Sequence, residues 1–224
     1  MNSDKVKKEI LTLALPKGRI FEGALERLIE AGLLSESISD SSRVLIKEDK
    51  KTSIRVLILR NYDVPTYISR GIADLGVIGK DILLEQEQLL YEPLDLRFAP
   101  CRLMVAGPTE LSWKKITSMT NLTVATKFPL IATRFFSERG IQARIVHLYG
   151  NVEIAPLTGV SDIIVDLVDT GKTLKANGLI PIKEIFSSTA RLVVNRASMK
   201  IKNKSISSFI SKLKKVCKKK IVNS

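Results

Sequence analysis

Short apolar runs that end at a glycine or proline and restart at helical spacing recur along this 224-residue chain. That alternation of period-2 and period-3.6 patterns restricts it to layered α/β architectures, in which strands bury their faces against the intervening helices. The first instance has Leu11, Leu13 and Leu15 at alternate positions, then the break Pro16-Lys17-Gly18-Arg19. Phe21, Ala24, Leu25, Leu28 and Ile29 follow on one helical face, and Gly32 stops the helix. Residues 43–46 and 54–59 predict two short strands around the polar turn EDKKTS, and Val64 to Ser69 a short helix. IADLGVIG then predicts a buried strand that feeds a helix near Asp81.

Between Tyr91 and Pro108 the pattern changes, and RLMVAG (102–107) predicts a strand leading into a second lobe. Trp113 to Met119 reads as a short helix or turn, LTVAT (122–126) and ARIVHLYG as strands, and Pro129 to Arg139 as a helix ended by Gly140. ARLVVN (190–195) is expected to return to the first lobe.

SDIIVDLVDTGKTLKANGL is the most informative segment, because the apolar run Ile163–Val168 turns into a helix at Asp169-Thr170-Gly171-Lys172-Thr173. Such a turn has the parts of an anion cradle. Gly171 permits an unusual backbone angle, while exposed amides and the Thr170 and Thr173 hydroxyls donate hydrogen bonds. Lys172 either adds a positive charge or points into water. The GxxxxGK[ST] spacing is absent, which argues against a nucleotide kinase or ATPase. Asp166 and Asp169 would repel a phosphate unless they bind something else, such as ribose hydroxyls or a magnesium ion. The plainer reading is that Asp169 caps the helix and Asp166 solvates an element edge.

Lys17 and Arg19 in the other sharp turn are phosphate-binding candidates, with a solvated basic turn as the alternative. Arg60 and Asp81 follow apolar runs, where layered α/β proteins place ligand residues. Glu153, just before the Pro156–Gly159 turn, is a similar candidate. His147 is equally a strand residue or a ligand. No Ser/His/Asp or Cys/His nucleophilic set is visible.

The net charge of +13 is concentrated at one end: from Ile185 onward there are 9 Lys and 2 Arg with no Asp or Glu, leaving +2 for residues 1–184. Ile206, Phe209, Ile210, Leu213, Val216 and Cys217 share a helical stripe there, which favours a packed terminal helix with a solvated lysine face. Without aromatic interleaving, nucleic-acid binding is not favoured. No apolar run reaches the roughly 18 residues that span a bilayer. LTLAL is too short for a secretion signal, so the cytoplasm is the expected location. Two cysteines and one histidine make neither a disulfide scaffold nor a zinc cluster. A bound metal is expected to be a hard cation held by carboxylates and substrate phosphates.

LALPKGRIFEGAL, RNYDVPTYISRGIADLGVIGKDIL, TVATKFPLIATRFF, GNVEIAPLTGVSDIIVDLVDTGKTLKANGL and EIFSSTARLVVNRAS together resemble the short form of the ATP phosphoribosyltransferases, over residues 10–198. The resemblance implies a two-lobed α/β fold like type II periplasmic binding proteins. One lobe would comprise residues 1–97 and 180–224, and the other residues 98–179 would carry the phosphoribosyl-binding loop. It also implies transfer of 5-phosphoribosyl from phosphoribosyl pyrophosphate to N1 of ATP, the first step of histidine biosynthesis, with Mg²⁺. Asp169 to Thr173 would hold the 5-phosphate and Asp166 would lie by the ribose, either acid being suited to stabilise charge at C1. Lys17, Arg19 and Arg60 would face phosphates, and Glu153 and Asp81 would contact ribose, base or metal. Short forms resemble catalytic subunits that assemble with a histidyl-tRNA-synthetase-like regulatory subunit in a mixed octamer. The two-lobed fold also serves small-ligand sensors and binding proteins, the rival reading. Phe98-Ala99-Pro100 stands where relatives often have a glycine-containing turn, and Asn151 where a serine is frequent.

Overall fold

The computed structural model describes residues 9–36, 38 and 44–222. The chain begins β1 (Leu11–Pro16), α1 (Arg19–Glu30), β2 (Ile46–Asp49), β3 (Ile54–Leu59), α2 (Val64–Ser69), β4 (Leu75–Gly79), α3 (Lys80–Gln86) and β5 (Tyr91–Asp95). It continues β6 (Cys101–Pro108), α4 (Trp113–Thr117), β7 (Leu122–Thr126), α5 (Pro129–Ser137), β8 (Ala143–His147) and β9 (Ile163–Val168). It ends α6 (Lys172–Ala176), β10 (Leu179–Ser188), β11 (Ala190–Val194), α7 (Arg196–Ile201) and α8 (Asn203–Val222). Contacts divide it into one unit within Met1–Leu83, Glu87–Ala99 and Thr189–Ser224, and another of Leu84–Gln86 and Pro100–Ser188.

In the first unit a six-stranded sheet runs β2-β3-β1-β4-β11-β5. β1 is parallel to both β3 and β4, while β2 and β11 run antiparallel to their neighbours. Strand periodicity sorts the apolar residues onto two faces. Leu13, Leu15, Val56, Ile58, Leu75 and Val77 pack with α1 and α8 through Phe21, Leu28, Ile206, Phe209 and Leu213. Ala14, Leu57, Ile78 and Val193 face the other way, onto Val64 and Ile68 of α2. Both faces are therefore buried, as a parallel core requires.

α8 is the packed terminal helix that its stripe predicts. Ile206, Phe209, Leu213, Val216 and Cys217 are buried, while Lys204, Lys212, Lys214, Lys215, Lys218 and Lys219 are exposed. The Asp74 carboxylate anchors the segment: it accepts hydrogen bonds from the Thr12 amide, the Ser198 hydroxyl and the Lys202 ammonium, each at 2.8 Å. Asn195 caps α7 through its Oδ1, which accepts from the Ser198 amide at 2.8 Å.

The second unit is a five-stranded sheet in the order β10-β6-β9-β7-β8. β7 is parallel to β8 and β9, whereas β6 is antiparallel to β9 and β10. Residues 180–188, expected with the first lobe, pair along β6 as most of β10. The register shifts twice in that pairing, between Pro181 and Lys183 and between Glu184 and Phe186. Those irregularities break the alternation by which a strand is read from sequence. Between β5 and β6, Arg97 (φ 54°) and Ala99 (φ 49°) are left-handed, the conformation for which a glycine would be the unstrained choice.

β2 begins later than its sequence pattern predicts. Its pairing with β3 carries Glu48 and Asp49 into the strand, and residue 43 lies outside the described residues. Among the described residues no helix is long and apolar enough to cross a membrane. Both cysteines, Cys101 and Cys217, are free thiols.

Candidate active site

β9 delivers the cradle. Its residues Ile163 to Val165 are fully buried between β6 and β7, and the chain reaches the surface at Asp169 and Thr170. Gly171 makes the turn with φ 76° at the N-cap of α6, and its carbonyl accepts the Lys175 amide at 3.1 Å. An added Cβ would meet only Val168 Cγ1 at 3.9 Å, so the backbone angle, rather than space, is what calls for glycine there. Thr170, Lys172 and Thr173 are exposed. The loop Asp169–Thr173 lines a cavity of about 300 Å³ together with Asp166 and Glu153. α6 is only five residues long. Its dipole is correspondingly small, so the amides, the two hydroxyls and Lys172 carry most of the attraction for an anion.

Asp166 sits within β9 and points to the cavity side. Its Oδ1 accepts the Leu167 amide at 2.9 Å. Burial pushes its carboxyl above the ordinary value and Glu153 adds to this, while the Leu167 amide and Lys127 pull it down. Glu153 belongs to a 3-10 turn, Val152–Ile154, entered through Asn151 in the left-handed conformation (φ 48°). Asparagine tolerates that angle better than serine would. The cavity therefore joins a donor-rich loop to two carboxylates, a combination suited to a phosphorylated sugar rather than to phosphate alone.

The charge environment of Asp166 includes a residue that no motif had singled out. Lys127 immediately follows β7, whose Thr126 pairs with Val165 in parallel register. No spacing signal within the sequence links positions 127 and 166; only the β7–β9 pairing does.

In the first unit, Lys17, Arg60 and Asp81 follow directly or by one residue on the carboxyl ends of the sheet neighbours β1, β3 and β4. The Lys17 amide donates to the Leu59 carbonyl at 3.0 Å, which brings the backbones at Lys17 and Arg60 side by side. Gly18 (φ 81°) turns the chain so that Arg19 opens α1. Asp81 is 4% exposed, and its carboxylate lies where a side chain on Gly79 would be. It is thus far less accessible than the three basic residues. The sequence candidates form two groups, each within its own unit.

His147, at the end of β8, is exposed and lies against Tyr149 with 4.7 Å between ring centres. A larger cavity of about 820 Å³ lies near the opposite ends of β7 and β8, with Arg144 as its one charged lining residue. It lacks the grouped acids and donors of the β9–α6 cavity. Among the described residues no cluster of three or more His, Cys, Asp or Glu could hold a metal. The donor set fits a cation that brings most of its oxygen ligands with it, as a phosphate-bound divalent ion does.

Together these features define a two-unit α/β protein of the periplasmic-binding-protein type, with a donor-rich loop at a strand-to-helix turn. A solved structure of the periplasmic aliphatic sulphonate binding protein SsuA from Escherichia coli shares the fold alone, at TM-score 0.61 and 12% identity over 93% of this chain and 72% of that one. The chain belongs to the ATP phosphoribosyltransferase family, whose model matches residues 60–215. It is 51% identical to the ATP phosphoribosyltransferase of Caldanaerobacter subterraneus subsp. tengcongensis over 208 residues, 93% of this chain and 98% of that protein. The same enzyme from Syntrophotalea carbinolica is 48% identical over 209 residues, covering 93% and 95% of the two chains. The structure of the ATP phosphoribosyl transferase (HisG:HisZ) complex from Thermotoga maritima matches at TM-score 0.80 and 37% identity, over 93% of this chain and 99% of that one.

Proposed function

We propose that this chain transfers the 5-phosphoribosyl group of phosphoribosyl pyrophosphate to N1 of ATP, releasing pyrophosphate, as the first step of histidine biosynthesis. The observation that carries the reading is the cavity joining the Asp169–Thr173 donors to Asp166, in a chain of this family. The loop amides, Thr170, Thr173 and Lys172 bind the 5-phosphate, with Gly171 allowing close approach. Asp166 faces the ribose, where its charge favours the positive character that develops at C1 as the bond to pyrophosphate breaks. Lys17, Arg19 and Arg60 bind the phosphates of ATP and of the leaving group. Glu153 has a secondary role at the ribose, and the buried Asp81 a lesser one.

N1 of adenine is already a nucleophile, so no side chain is required as its general base. Catalysis then consists of aligning two highly charged substrates and stabilising the departing pyrophosphate. The exposed Asp169 would be the carboxylate available to Mg²⁺, which would supply positive charge to stabilise the leaving pyrophosphate.

The expected setting is the cytoplasm, with a histidyl-tRNA-synthetase-like regulatory subunit in a hetero-octamer. Support for such a partner comes from the likeness to the HisG:HisZ complex along 93% of this chain. The direct test assembles the purified chain with such a subunit, adds ATP, phosphoribosyl pyrophosphate and Mg²⁺, and follows phosphoribosyl-ATP. Product that depends on both substrates is expected. Saturable ligand binding with no product from the assembled complex would instead favour a small-ligand binding protein.

A further inference from the structure

The β7–β9 pairing places a cation beside the one acid that the proposed chemistry relies on most. Thr126 and Val165 are registered partners in parallel strands, as are Ala125 and Ile164. Lys127 and Asp166 are the residues that follow this last registered pair, so they leave from adjacent backbone positions, Lys127 at the bend that ends β7. Asp166 lies on the face of Ile164 and Val168, which pack with Ala125, Met104 and Leu174 of α6 beneath the loop. The local backbone is held from inside: the buried Thr126 hydroxyl donates to the Val165 carbonyl at 2.7 Å and accepts the Phe128 amide at 2.9 Å. Lys127, between those two anchored residues, is half-buried.

We propose that Lys127 is a positioning residue of the phosphoribosyl site, acting on the ribose through the Asp166 carboxylate. This rests on the proposed phosphoribosyl transfer and deepens it. The charges that act on Asp166 are Glu153 from the neighbouring 3-10 turn and Lys127 from the end of β7. β6 contributes only the uncharged Met104 opposite Asp166, and α6 contributes the exposed Lys172. Burial and Glu153 both favour the neutral acid, which could not stabilise positive charge at C1. Lys127 opposes them from the neighbouring strand end, whereas Lys172 belongs to the loop assigned to the phosphate. Among the charged groups Lys127 is therefore the one that favours the Asp166 anion, beside the Leu167 amide.

The test compares wild type, Lys127→Met and Lys127→Arg, each assembled with the regulatory subunit. In Lys127→Met, kcat/KM for phosphoribosyl pyrophosphate at neutral pH is expected to fall by about tenfold or more, the scale of losing one preorganised electrostatic partner. The acidic limb of its pH–rate profile should move to higher pH, and Lys127→Arg should recover most of the loss. Carbon-13 titration of the Asp166 carboxyl in the free chain supplies a readout that needs no turnover. An upward displacement in Lys127→Met supports the proposal, while an Asp166 titration identical to wild type overturns it, whatever the activity. Absence of product from the wild-type assembly would instead overturn the transferase reading.

Discussion

The hydroxyl of Thr126 donates to the carbonyl of Val165 at 2.7 Å while accepting the Phe128 amide, inside a site with no solvent access. One threonine thus ties two parallel strands together where the chain leaves the sheet toward Lys127 and α5. Thr126→Val keeps the shape but leaves a buried amide without its acceptor, at a cost of about 1–3 kcal/mol. Urea unfolding should show that loss, and Thr126→Ser should retain most of the stability. Equal stability of the valine and serine variants would contradict the role given to this hydroxyl.

Gly171→Ala separates cradle from fold. An alanine at φ 76° costs about 1 kcal/mol, with no clash to enlarge it. Calorimetric binding of phosphoribosyl pyrophosphate should weaken well beyond what that small loss of stability implies, because the amides that would face the phosphate are displaced. Unchanged affinity would remove the loop from the ligand site.

Asp166→Asn should trade activity for stability. A carboxyl raised above its ordinary 3.8 favours folding fully only below that pH, and the benefit is lost as pH rises through its folded value. At neutral pH the ionised wild-type group is therefore a net cost that asparagine avoids. The variant should melt higher than wild type near pH 7, with the advantage shrinking toward pH 3, while phosphoribosyl-ATP formation falls sharply. A variant less stable than wild type at pH 7 would contradict the burial argument.

The terminal helix has two faces with opposite expectations. Leu213→Ala, at 1% exposure, removes packing against α1 and should cost about 2–5 kcal/mol. Replacing Lys214, Lys215, Lys218 and Lys219 together by glutamine should leave the melting temperature nearly unchanged, since exposed substitutions contribute only a few tenths of a kcal/mol each. Loss of fold in the glutamine variant, measured by circular dichroism, would mean that the lysine face does more than solvate the helix.

The amino-acid sequence by itself determined the α/β class, most of the elements and the strand-to-helix turn at Gly171, because each is written in local periodicity and turn chemistry. Leu11, Leu13 and Leu15 alternate as β1 does, and the α8 stripe names the residues that pack on α1. Gly171 marks the turn because few other residues adopt its backbone angle without strain. Tertiary structure alone decided that residues 180–188 join the second sheet, since their pairing with β6 passes through two register shifts that hide the strand pattern. β2 likewise owes its position to β3, whose pairing draws in the polar Glu48 and Asp49. The same holds for Lys127 and Asp166. They lie far apart along the chain, and only the register of two parallel strands, a property of the folded sheet, sets one beside the other.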